Sequence, residues 1–238
     1  MGLVSCLLTG SNGFMGFYGF PGMFYRMDPT YSLVIIGAVI CMIASANVNR
    51  AFRKYSRYGS KSGITGAQAA QQILNDAGIY DVQIRHISGD LTDNYNPGNK
   101  TLNLSDSVYG STSIAAIGVA ANECGHTIQH NVGYITIKIR GAIVPVVNLG
   151  SKLSWPVIIL GVILGSFNML NIGILLFALT LVFQIVTLPV EFNASTRALK
   201  ILDKSGMLYK DEVRGARKVL TAAAMTYITA TVSTLLQL

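Results

Sequence analysis

The chain has 238 residues, of which 51% are apolar and only 12% charged, with a mean hydropathy of +0.47 and a formal net charge of +7. These values exclude an ordinary soluble domain and point to a membrane protein, in which an excess of Lys and Arg reads as membrane orientation rather than as affinity for nucleic acid. Three cysteines, Cys6, Cys41 and Cys124, give no disulfide framework.

Residues 1–30 form a Gly-rich apolar segment without a basic start, so no cleaved signal peptide is read there. The first run long enough to span a bilayer, which takes about 20 residues, is "YSLVIIGAVICMIASANV" over 31–48. A region over 49–140 follows. It opens with the basic connector "NRAFRKYSRYGSKSG", after which "ITGAQAAQQILNDAG" predicts a helix closed at Gly78. "DVQIRHI" alternates as a strand does, and "TDNYNPGNKTLNLS" predicts a hairpin around its Asn-Pro-Gly-Asn turn, with 100–105 as an edge strand.

A helix is predicted to begin between Asp106 and Ser113 and to run through "IAAIGVAANECGHTIQHN". A transmembrane hairpin over 141–190 comes next, then a helical segment over 191–218 and a last span over 219–238. Seventeen of the 18 basic residues lie in 50–152 or 197–218, whereas the "GSFNMLN" turn is uncharged. Loops rich in Lys and Arg stay inside, so both termini are placed outside and the 49–140 and 191–218 regions in the cytoplasm. The fold class is a mainly α-helical multi-pass membrane protein with a small α+β cytoplasmic region.

The chemistry centres on "ANECGHTIQH", residues 121–130. With His at position 122 this would be H-E-x-x-H on a helix, two zinc-binding imidazoles with a general base between them. Position 122 is Asn. Helical spacing sets Asn122, His126 and His130 on one face with Glu123 beside it, and Ala115, Ala116, Gly118, Ala120 and Ala121 leave room for close packing. The plain structural alternative makes Glu123 and His126 a solvated face or an internal hydrogen-bonded pair. Against it, both sit in an apolar helix, and a second isolated acid, Glu191 in "TLPVEFNASTRAL", ends the third span on the same side. A zinc peptidase could use His126 as an imidazole ligand, Glu191 as a distal carboxylate and Glu123 as the base, with strand 100–105 holding an extended substrate.

Longer stretches carry a more specific likeness: "GITGAQAAQQIL", "LTDNYNP", "NKTLNLSDSVYGSTSIAAIGVAA", "GHTIQH", "LGSKLSW", "LVFQIVTLPVEFNAS" and "GARKVLTAAAMTY". Through these, over roughly 25–238, the chain resembles the YugP-like membrane zinc metallopeptidases (neutral zinc metallopeptidase family 2, gluzincin-like). The resemblance implies a zincin-like cytoplasmic region, Zn2+ as cofactor, His126 and Glu191 as ligands and Glu123 as general base. It implies a histidine where this chain has Asn122, and through E-x-x-A-D in related gluzincins it sets Ser195 where an Asp is expected.

Three explanations of Asn122 stay open: a substitution introduced into an otherwise normal peptidase, a natural loss that leaves a pseudoprotease acting as a membrane adaptor, and a shifted site built from His126, His130 and Glu191. The expectation is a membrane-embedded endopeptidase inactivated at its first ligand position. Its partners would be the lipid bilayer and unfolded or membrane-associated protein segments, in the plasma (inner) membrane of a prokaryote, with the site facing the cytoplasm. A carboxylate-bridged di-iron centre needs a second Glu-x-x-His, which the chain lacks, and Glu212 is the one further Glu. His86 is expected to be an exposed or core-edge histidine. Asp93, Asn94 and Tyr95 could border the cleft. Asn193-Ala-Ser195 fits a glycosylation sequon on the wrong side of the membrane.

Overall fold

A computed structural model describes residues 29–238; the segment 1–28, with Cys6, lies outside the described residues. Four helices are long and apolar enough to cross a membrane: α1 (Pro29–Tyr55), α5 (Ile135–Ile163), α6 (Phe167–Ser205) and α7 (Lys210–Gln237). Along them large apolar side chains such as Ile43, Leu160, Ile163 and Leu175 point outward and stay exposed. Such a surface suits lipid rather than water. Helix α1 packs on α7, and α5 and α6 form a hairpin whose turn is set by Gly165 at φ +61°. Within that hairpin a side chain on Gly173 would stand 2.4 Å from Ile158, so only glycine allows this approach.

Between α1 and α5 lie α2 (Gly66–Asp76), strands β1 (Gln83–Ile87), β2 (Asn94–Asn96) and β3 (Thr101–Ser105), the single turn α3 (Asp106–Tyr109) and α4 (Ile114–Asn131). The α2 prediction holds: Thr65 and Gln68 make a reciprocal capping box, and Gly78 takes the left-handed φ of +69° after the helix. Helix α4 starts where Ser113 accepts from the Ala116 amide at 3.2 Å. Asp106 opens the separate short turn α3, so the predicted range of starts resolves into two helices.

The hairpin forms between β2 and β3, but β1 joins β3 in parallel, which gives the order β1-β3-β2. Strand 100–105 is therefore central, not an edge as the sequence suggested. Its burial explains why. Leu102 and Leu104 are fully buried against α4, while Thr101 and Ser105 are also enclosed. A peptide added to this sheet would have to pair with β1 or β2.

The core runs without interruption from this region into the adjoining ends of the long helices. Leu102 and Leu104 of β3, Ile73 and Leu74 of α2 and Ile117 of α4 share one cluster with Leu202 of α6 and Val213 and Leu220 of α7. Fully burying each such side chain is worth about 1.5–3 kcal/mol, so the α+β region and the ends of α6 and α7 fold as one unit. Glu212 fastens them: its buried carboxylate accepts from the Lys61 and Tyr209 amides, each at 2.8 Å.

Candidate active site

Helix α4 reaches α6 because its facing residues are small. A methyl group on Gly118 would stand 3.2 Å from the Ala216 side chain of α7, and one on Gly125 would stand 2.7 Å from the Ala194 carbonyl oxygen of α6. The residue after Gly125 is His126, and the turn of α6 that meets it carries Glu191. That backbone contact fixes the site: His126 Nε2 lies 3.4 Å from Glu191 Oε2, with both side chains buried.

Each group of the pair is held from behind. Gln129, fully buried one turn along α4, accepts from His126 Nδ1 at 3.1 Å through its carbonyl oxygen. Its amide nitrogen donates to the Val190 carbonyl at 2.8 Å and to Asn193 Oδ1 at 3.0 Å. With Nδ1 as the donor, Nε2 is the nitrogen that faces the carboxylate, the arrangement that presents an imidazole to a cation. On the other side Arg140 of α5 donates to Glu191 Oε1 at 3.1 Å, and Tyr227 of α7 hydrogen-bonds the same carboxylate. Three helices thus converge on Glu191.

Asn122 and Glu123 lie half-buried on the same part of α4. Ser195 donates to Asn122 Oδ1 at 3.0 Å, and the Asn122 side chain also hydrogen-bonds the Glu123 carboxylate. Burial raises the Glu123 carboxyl above the usual carboxylate range, with the nearby Glu191 and Asp93 charges pushing the same way and His126 opposing. For His126 burial works against the charged ring, but the Glu191 carboxylate outweighs it and holds the imidazolium above the ordinary histidine value. The Glu123 and Glu191 carboxyls and the His126 ring therefore feel one another's charge.

The remaining candidates are placed as follows. His130 is exposed and packs edge-on against Tyr95 of β2 at 5.9 Å between ring centres. His86 is exposed and pairs with Asp106 at 2.7 Å. Asp93 accepts from the Ser105 amide and hydroxyl at 2.8 and 2.9 Å, so it ties the hairpin to β3. Asn193, the sequon residue, is occupied by Gln129 and by Arg197 at 2.7 Å. Glu212 is committed to backbone amides, which leaves no third glutamate for a di-iron bridge.

Gln129, Arg140 and Tyr227 were not anticipated. Gln129 carried a signal, since it follows His126 by one helical step. So did Arg140, a cation near the start of a largely apolar helix.

Zinc in a catalytic site takes three imidazole or carboxylate ligands and a water. Here His126 and Glu191 could supply two, and Asn122 offers only an amide oxygen that already accepts from Ser195. No group of three or more His, Cys, Asp or Glu side chains that could hold a metal ion occurs among the described residues. The donor set as it stands does not fit a catalytic zinc.

The comparisons agree with the sequence likeness. Residues 30–238 match the family described as "Putative neutral zinc metallopeptidase". The chain is 42% identical over 206 residues, 87% of this chain and 92% of its relative, to the "Putative membrane protease YugP" of Bacillus subtilis (strain 168). No solved structure matches. With the family match running through both the α4 motif and the α6 carboxylate, the chain belongs to this family of neutral zinc metallopeptidases.

Proposed function

We propose that this protein is a membrane-boundary endopeptidase scaffold whose zinc site is impaired at Asn122. The observation that carries the reading is the meeting of His126 on α4 with Glu191 on α6, at 3.4 Å, with Glu123 one turn back along the same helix. His126 and Glu191 are the two retained ligands and Glu123 is the base. An amide oxygen is a weaker zinc donor than a neutral imidazole, so replacing one lowers affinity beyond the roughly 10- to 100-fold typical of losses outside the ligand set.

The site faces the cytoplasm of a prokaryotic inner membrane, since the basic residues cluster on its side of the helices. Its position at the inner part of α6 favours unfolded or membrane-associated protein segments as substrates. A second reading, a pseudoprotease that binds without cutting, is favoured by the Ser195–Asn122 bond, which gives the amide a fitted partner.

Asn122→His separates the two readings. In the impaired peptidase it restores cleavage of casein, and a further Glu123→Gln change removes the base and abolishes cleavage while the metal stays. A zinc-loaded Asn122→His protein that leaves casein intact supports the pseudoprotease.

A further inference from the structure

A compact group of cations stands where the first span ends. Arg50, Arg53 and Lys54 occupy the last turns of α1, and Arg57 lies in the turn that follows. All four are exposed, and they line one hollow of about 570 Å³ that runs from Ala46 to Tyr58. Helix α7 brings more charge of the same sign. The Gly37 position meets Ser233 and the Gly215 position meets Tyr55, so the two helices run antiparallel, and the exposed Arg217 and Lys218 come level with the Arg53 turn of α1.

This charge is not balanced from within. Residues 29–75 contain no Asp or Glu. The acids nearest in register, Asp211 and Glu212 at the start of α7, are engaged elsewhere. Asp211 pairs with Lys61 at 3.0 Å, and Glu212 serves the Lys61 and Tyr209 amides. Among the described residues none of the four side chains reaches a carboxylate, and Lys54 rests over the Tyr55 ring at 5.7 Å. Like charges three and four residues apart repel, so the end of α1 carries a strain that a bound anion would relieve. Membrane orientation accounts for positive charge on this side of the span, but it asks only for a number of cations. It does not ask them to surround one hollow.

We propose that this hollow binds the phosphate headgroup of an anionic phospholipid whose acyl chains lie along the outer face of α1. Arginine forks grip phosphate oxygens in pairs, and Lys54 adds a point charge. The apolar end of the ligand is set by what adjoins the hollow. Ala46 closes it on the span side, and one helical turn further in Met42 and Ile43 are 63% and 64% exposed. A ligand that meets both parts is anionic at one end and apolar at the other. Tyr58 at the opposite rim is the kind of amphipathic ring that settles at headgroup level, and basic clusters directly beside a span are where anionic lipids gather.

The test uses the full chain with Asn122 in place, purified in neutral detergent and offered phosphatidylglycerol and phosphatidylcholine in equal amounts with the same acyl chains. Lipids that stay bound are counted by native mass spectrometry. The parent should hold phosphatidylglycerol in clear excess, and changing Arg50, Arg53, Lys54 and Arg57 together to Gln should reduce that excess by about tenfold or more. Gln at Lys138, Lys152, Lys200 and Lys204, four exposed lysines elsewhere, removes the same charge and should leave the excess intact. Arg53→Gln and Arg57→Gln, made singly, should each lower it several-fold, which keeps the claim testable if the fourfold variant does not fold. No preference in the parent, or an equal loss in the two fourfold variants, overturns the proposal. Glycerol phosphate or a single-stranded oligonucleotide held as firmly as the lipid would assign the hollow to a soluble anion or to nucleic acid and overturn it too. None of these readouts depends on zinc or on catalysis.

Discussion

The distance between His126 and Glu191 depends on Gly125, and Gly125→Ala tests that dependence. The added methyl would lie 2.7 Å from the Ala194 oxygen and 3.2 Å from its carbonyl carbon and Cα, all backbone atoms that cannot swing aside. To reach ordinary contact, α4 and α6 must part by roughly 0.5–1 Å. Overpacking of this kind costs about 1–3 kcal/mol, set against a gain of up to about 1 kcal/mol for Ala over Gly in a helix. Gly141→Ala is the control, since a methyl there meets nothing within 4 Å and keeps only the helix gain. The two variants should therefore differ by about 1–3 kcal/mol in unfolding free energy in detergent, with Gly141→Ala the more stable. In the Asn122→His background, Gly125→Ala should also weaken zinc binding, because it moves His126 and Glu191, the two proposed ligands, apart. Equal stability of the two variants together with unchanged zinc affinity would refute the claim that this contact sets the site.

Gln129→Leu removes three hydrogen bonds around His126 and should destabilise by about 1–3 kcal/mol for each group left without a partner, measured by chemical unfolding. Glu212→Ala leaves the Lys61 and Tyr209 amides unserved, so amide exchange near 61 and 209 should speed up while the halves of the long helices far from the α+β region stay protected. Asp106 is held below the usual carboxylate range first by the Gly89 amide and then by His86. Its contribution is complete above the ordinary Asp pKa and lost as pH falls through the lower folded value. Asp106→Asn should thus be less stable than the parent at pH 7, with the deficit vanishing in acid unfolding curves. Cysteines placed at the exposed Lys61 and Lys204 should react with an impermeant thiol reagent only after right-side-out vesicles are opened, and labelling in sealed vesicles would invert the topology.

The sequence made the long helices legible because lipid demands a simple property, a long apolar run; α1, α6 and α7 each carry an unbroken one, and that of α5 is interrupted by Lys152. Helix α2 was legible through Thr65, Gln68 and Gly78, which act locally. Strand order was not. Local alternation shows that 100–105 is extended, but which strands flank it depends on the parallel pairing of β1, a contact between residues 18 apart with no local signature. The meeting of His126 with Glu191 was foreseeable from side and charge, since two buried ionisable groups each needed a partner. Arg140 as a further partner of Glu191 was not drawn from the sequence, because the register between α5 and α6 depends on side-chain packing along the hairpin. The Ser195–Asn122 bond is of the same kind: each residue is ordinary in its own helix, and only packing brings them to 3.0 Å.

The most direct measurement is zinc stoichiometry and affinity in three forms of the purified protein: the chain as it stands, Asn122→His, and Asn122→His with Glu191→Gln. If His126 and Glu191 are the retained ligands and Asn122 is the lesion, the first binds zinc weakly, the second holds one zinc per chain, and the third loses most of it while keeping its fold. Tight zinc binding by the Asn122 form, or full zinc occupancy after Glu191→Gln, would contradict the account.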